Sequence, residues 1–225
     1  MTLANRVTPM GTIEPLPLRG LLMGNRGILH DGERRVVKPW NLPAWLICET
    51  EFGGRRRALM APGRYTELFF LDEVHALAAG HRPCFECRRA AFHAFLDAAG
   101  HERGSALDGA LHTERLTGRK GMRRALRPPR RHLRRAAGLP DGAMVLVGAT
   151  VFARLDGAFA VWSRAEPGGY LASLGGDAAR DAAALCALLD ADEPLTVLTP
   201  PTSLAALAGG YAPLWHPSAD AAARV

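Results

Sequence analysis

Ala76-Leu77-Ala78-Ala79-Gly80-His81-Arg82-Pro83-Cys84-Phe85-Glu86-Cys87 is the stretch on which the reading of this 225-residue chain turns. A Cys-x-x-Cys can present both sulfurs to one tetrahedral ion, and a helix N-terminus stabilises the thiolates' negative charge. Pro83 suits a first helical turn and Gly100 a stop, so the spacing predicts a helix from Pro83 to Ala99 with both sulfurs in its first turn. Phe92, Phe95, Leu96 and Ala99 then share its buried face. The same spacing also serves thioredoxin-like redox sites, which need a βαβ context missing upstream of Cys84, and two inert thiols are the third reading.

Upstream, Asp72 is a good N-cap for a helix from Glu73 to Ala79 that Gly80 ends. Strand-like pieces precede it at Trp45 to Glu49 and Leu68 to Leu71. The order strand, Ala-Leu-Ala-Ala-Gly helix, Arg-Pro-Cys-x-x-Cys resembles the second half of the zinc-binding domain of the Ada DNA-repair family. The segment Gly24-Asn25-Arg26-Gly27-Ile28-Leu29-His30 is similar to the opening of some relatives, so the resemblance covers about residues 24 to 95. It implies a zinc ion held by Cys84, Cys87, Cys48 and His30. The 18-position separation of His30 and Cys48 departs from the family, whose first two ligands lie a few residues apart. The family accepts methyl groups from DNA phosphotriesters on a zinc thiolate. Cys48 is the one cysteine that could match the acceptor position, and the Cys-x-x-x-Cys around that acceptor is absent, so the zinc is expected to be structural. His81 reads as a packed or capping imidazole, His75 as a surface residue, and His93 as facing solvent or the rim of the metal site.

A zinc deaminase reading uses Pro83-Cys84-x-x-Cys87 but needs a glutamate where Thr50 stands. A hydrolytic metal site with Glu49 or Glu51 as base is the more general enzymatic alternative.

The cysteines Cys48, Cys84, Cys87 and Cys186 come with no export signal and no apolar run long enough to span a bilayer. That combination points to a cytoplasmic protein with no membrane partner, in which close cysteines bind metal. The formal charge of +6 is uneven, since residues 115–135 hold ten Lys/Arg and no Asp or Glu. Arg119, Lys120, Arg123, Arg124, Arg127, Arg130, Arg131, Arg134 and Arg135 are the candidate nucleic-acid surface, because clustered cations gain affinity by releasing counterions from phosphates. Arginine is abundant throughout, with only Lys38 and Lys120 as lysines, so local density carries the argument and a solvated basic face is the alternative. Nothing in the run separates DNA from RNA. Pro128-Pro129 limits it to two short helices.

Ser105 and Asp108 resemble a capping box for a helix ending near Leu116, where His112, Glu114 and Arg115 form a polar cluster, with His132 and His216 elsewhere. The last third turns to β: Ala143 to Val147, then Thr150 to Leu155 and Ala158 to Ser163 joined by Asp156-Gly157 in a type I′ hairpin, with Leu155 facing Ala158, Ala153 facing Ala160 and Val151 facing Trp162. A helix from Asp177 to Leu189, a strand from Leu195 to Leu198 and a short helix after Thr202 follow. The expectation is an α+β protein: an extended arm (1–20), an Ada-like zinc module (21–100), a helical basic segment (101–138) and a β-rich α+β half (139–225). Its expected function is a structural zinc site with nucleic-acid binding in DNA maintenance or regulation. The alternative is a metal-dependent hydrolase or methyl-accepting transferase acting on nucleic acid. Oligomeric state is left open.

Overall fold

Short apolar strands separated by glycine and proline pair into two sheets in a computed structural model that describes residues 3–54, 58–116, 132–165 and 168–225. Through the first half run β1 (Arg6–Val7), β2 (Ile13–Glu14), β3 (Leu22–Asn25), β4 (Leu46–Glu49), β5 (Leu68–Phe70), α1 (Glu73–Ala78), β6 (Arg82–Pro83), α2 (Arg89–Ala98) and α3 (Gly104–Arg115). After residue 131 come β7 (His132–Arg134), β8 (Met144–Val147), β9 (Thr150–Leu155), β10 (Ala158–Ser163), β11 (Gly169–Tyr170), α4 (Gly176–Asp190), β12 (Leu195–Val197) and α5 (Pro201–Ala208). The first sheet has the order β2-β1-β5-β3-β4-β6 and the second β11-β10-β9-β8-β12-β7. The molecule is therefore mixed α+β.

The hairpin forms in the register its alternation predicts, with Leu155 opposite Ala158, Ala153 opposite Ala160 and Val151 opposite Trp162. Asp156 and Gly157 both take positive φ, 52° and 78°, as a type I′ turn requires. Three expectations are corrected. The extended first residues are part of the first sheet and not an arm apart from it: β1 lies between β2 and β5, and the Asn5 amide donates to the Glu67 carbonyl at 3.1 Å. Ser105 and Asp108 make no capping box. The N-cap of α3 is Arg103, and Asp108 instead accepts two hydrogen bonds from Arg82 at 3.0 and 2.8 Å, a buried fork-on-fork pair. Third, residues 132–134 of the expected helical basic segment are strand: β7 pairs antiparallel with β12.

One core lies between the first sheet and the helices α2, α3 and α5, joining Ile47, Phe70, Phe95, Leu111 and Leu207. A second joins Val74 and Ala78 of α1 to Met144, Val151 and Trp162 of the second sheet, and a third packs Leu185 of α4 on its other face. All six residues of α1 are buried, because Ala76 and Leu77 face the first core while Val74 and Ala78 face the second. His75 is therefore not at the surface. It is fully buried, its ring meets Phe70 and Trp162 edge-on, and its Nδ1 accepts the Leu71 N–H at 3.2 Å. Burial lowers its pKa to about 3.

Candidate metal centre

Strand register builds the centre. β4 and β6 run parallel with Ile47 beside Pro83, and the Cys84 N–H donates to the Ile47 carbonyl at 2.9 Å. The next step along both strands sets Cys48 beside Cys84. A turn over 85–87 then brings Cys87 back, closed by the Arg88 N–H on the Cys84 carbonyl at 3.1 Å. The Glu86 N–H points at the Cys84 Sγ at 3.4 Å.

The cysteines thus precede α2, which begins at Arg89, instead of occupying its first turn. Pro83 is a strand residue, held extended by β4. Phe92, Phe95 and Leu96 are buried in α2, as its face predicts.

The sulfurs of Cys48, Cys84 and Cys87 all lie within 4.8 Å of one another. A tetrahedral ion about 2.3 Å from each sulfur needs them about 3.8 Å apart, so a contraction of about 1 Å seats it. Hydrogen bonding from Cys48 lowers the Cys84 pKa to about 5 against the opposing effect of burial, and the Cys87 and Glu86 N–H groups add to the lowering. Cys87 is lowered chiefly by Cys48, with the Glu49 N–H contributing. Cys48 is raised by its hydrogen bonds to the other two sulfurs and by burial. A divalent ion seated among the three sulfurs would displace their thiol protons.

His30 does not join them. Its Nδ1 is 2.6 Å from the Thr66 hydroxyl and its Nε2 is 3.3 Å from the Ala61 carbonyl, so both ring nitrogens are engaged elsewhere. Among the described residues no histidine or carboxylate joins the three sulfurs. His81 is a fully buried, packed imidazole that lies against Trp45 and Phe70 and accepts the Arg26 Nε–H at 3.0 Å. His93 is exposed beside Phe85. Cys186 is exposed on α4.

All three cysteines line one cavity of about 190 Å³. Its polar lining residues are Asn25, Glu49, Thr50, Tyr65, Glu67 and Glu86, and its apolar ones are Met23, Leu46, Phe52, Leu59 and Phe69. Glu51 is not part of it, so of the two candidate bases Glu49 alone faces the sulfurs' cavity. Arg88 holds Glu49 at 3.3 Å and grips Glu73 through both terminal nitrogens at 2.6 and 2.9 Å. Burial opposes the charge on Arg88, and the Glu73 carboxylate outweighs it, raising its pKa.

Glu67 escaped the sequence reading. Nearly buried, it accepts the Met60 N–H at 2.7 Å and fixes a residue with φ of 53°, a left-handed conformation uncommon outside glycine. The available signal was a carboxylate opening the apolar run Leu68 to Leu71.

The basic candidates divide. Arg119, Lys120, Arg123, Arg124, Arg127, Arg130 and Arg131, with the Pro128-Pro129 break, lie outside the described residues. Arg134 and Arg135 are exposed, and Arg135 pairs with Asp192. Arg115, at the head of the run, is buried. It sits over Trp45 at 4.0 Å, opposite Arg26 at 3.8 Å, and donates to the Gly80 carbonyl and His112. Desolvation lowers its pKa to about 9. Glu114 accepts two hydrogen bonds from Thr202, at 3.0 and 2.7 Å, fastening α5 to α3. His132 lies on β7, and His216 Nδ1 is 2.8 Å from the Ser218 hydroxyl.

No family model, curated protein or solved structure matches the chain. No helix among the described residues is long and apolar enough to cross a membrane.

Proposed function

We propose that this is a zinc protein of nucleic-acid maintenance or regulation, with the ion held by Cys48, Cys84 and Cys87 and the polyanion met by the Arg-rich run from Arg119 to Arg135. The convergence of three sulfurs within 4.8 Å, from a strand and a turn distant in sequence, carries the metal half. Three thiolates favour zinc over hard, oxygen-preferring cations such as magnesium or calcium. The likeness of residues 69–87 to the Ada-type zinc domain and the charge density of residues 115–135 support the nucleic-acid half.

A second reading, a metal-dependent hydrolase or methyl-accepting transferase acting on nucleic acid, is favoured by one observation: the sulfurs line a cavity beside Glu49. Three thiolates over-neutralise a dication and weaken its acidifying effect on bound water, so within this reading thiolate alkylation is favoured over hydrolysis.

Mobility shifts of the zinc-loaded chain across salt test the proposal. Binding is expected to weaken linearly in log–log form, and R123Q/R124Q is expected to reduce the slope by about 1.8 at roughly 0.9 per phosphate contact. Salt-independent binding, or none, contradicts the nucleic-acid half. Methylated protein recovered after incubation with alkylated DNA, lost in Cys48→Ser, establishes the second reading.

A further inference from the structure

The three sulfurs supply three of the four bonds of a tetrahedral zinc, and among the described residues no His, Asp or Glu ligand atom stands close enough to supply the fourth. The cavity meets all three cysteines, so it gives a fourth ligand access to them. Water is a poor candidate for tight binding there, because a tris-thiolate ion carries net negative charge and polarises an oxygen ligand weakly. Soft sulfur suits such an ion better.

The walls add a second requirement. Met23, Leu46, Phe52, Leu59 and Phe69 give the cavity apolar lining, and Phe52 and Leu59 are 40% and 41% exposed. In size, its volume of about 190 Å³ leaves room for a ring, since a cavity of about 150 Å³ accepts benzene.

We infer that the cavity binds a small organic thiol carrying a ring-sized apolar group, whose sulfur becomes the fourth ligand of the metal held by Cys48, Cys84 and Cys87. The inference rests on the metal reading above. On binding, the S–H proton is released to solvent, a metal–sulfur bond forms, and the apolar group lies against Phe52, Leu59 and Phe69.

The full chain loaded with Co²⁺ in reduced, thiol-free buffer tests this. Sulfur-to-cobalt charge-transfer absorption before any addition reports the three-cysteine site, and its absence overturns the metal reading and the inference together. With that band present, titration with phenylmethanethiol is expected to strengthen it and shift the d–d bands saturably, with cobalt still eluting with the protein. Phenylmethanethiol is expected to bind at least tenfold tighter than 2-mercaptoethanol. Leu59→Trp, at a partly exposed rim position, is expected to weaken it at least tenfold while sparing the initial band. An unchanged spectrum at millimolar thiol, cobalt stripped from the protein, or equal affinity for the two thiols overturns the inference and leaves the metal reading standing.

Discussion

Asp72 holds three parts of the chain with one side chain. Its carboxylate caps α1 by accepting the His75 N–H at 2.9 Å, and also accepts the Tyr170 hydroxyl at 3.0 Å and the His216 N–H at 3.1 Å. Burial raises its pKa from 3.8 to about 6, although these three donors pull the other way. The folded state therefore binds more protons than the unfolded state between those values, and this contribution to stability falls as pH rises from about 3.8 to about 6. Asp72→Asn removes that slope. Its amide nitrogen meets donors, so the variant is expected to be about 1–3 kcal/mol less stable at low pH. The deficit should narrow across the window, as read by urea unfolding at several pH values. The cap was legible in sequence, while its partners 98 and 144 residues away were not. The cysteines show the same division. Residue type and spacing named Cys84 and Cys87 and the resemblance added Cys48 and His30, but His30 is spent on Thr66, and the Asn25, Tyr65 and Glu67 lining depends on tertiary placement.

Elements governed by local chemistry form where the sequence puts them. The Asp156-Gly157 hairpin is the clearest case, because a two-residue turn and a period-2 pattern fix its register without help from the rest of the chain. A Cβ at Gly157 meets nothing within 4 Å, so Gly157→Ala is expected to cost about 1–2 kcal/mol from left-handed backbone strain alone, measured by urea unfolding. A smaller loss would mean the turn relaxes to another type. Elements created by pairing were not legible. β1, β2 and β6 have two residues each, too few for any periodicity, and exist because β5, β1 and β4 respectively offer them partners. That is why Pro83, read locally as a helix start, is extended. His75 was misplaced for a related reason: a helix between two sheets has no solvent face.

Across the whole molecule, the three-cysteine cluster is tied to the seam between the two sheets. Arg88 follows Cys87 and joins cavity-lining Glu49 to buried Glu73, which also accepts the Tyr211 hydroxyl at 2.7 Å and the Leu214 N–H at 3.0 Å. The C-terminal segment thereby braces the helix that carries the centre's supporting carboxylate, while α5 packs against α2 and α3. Within this frame Cys48, Cys84 and Cys87 are proposed to hold one zinc ion, and native mass spectrometry of the full chain and its single variants is the decisive experiment. One zinc per chain is expected in the parent, in His30→Ala and in Cys186→Ser, and its loss in each of Cys48→Ser, Cys84→Ser and Cys87→Ser. A parent chain without zinc, or a His30→Ala chain that loses it, would overturn the assignment.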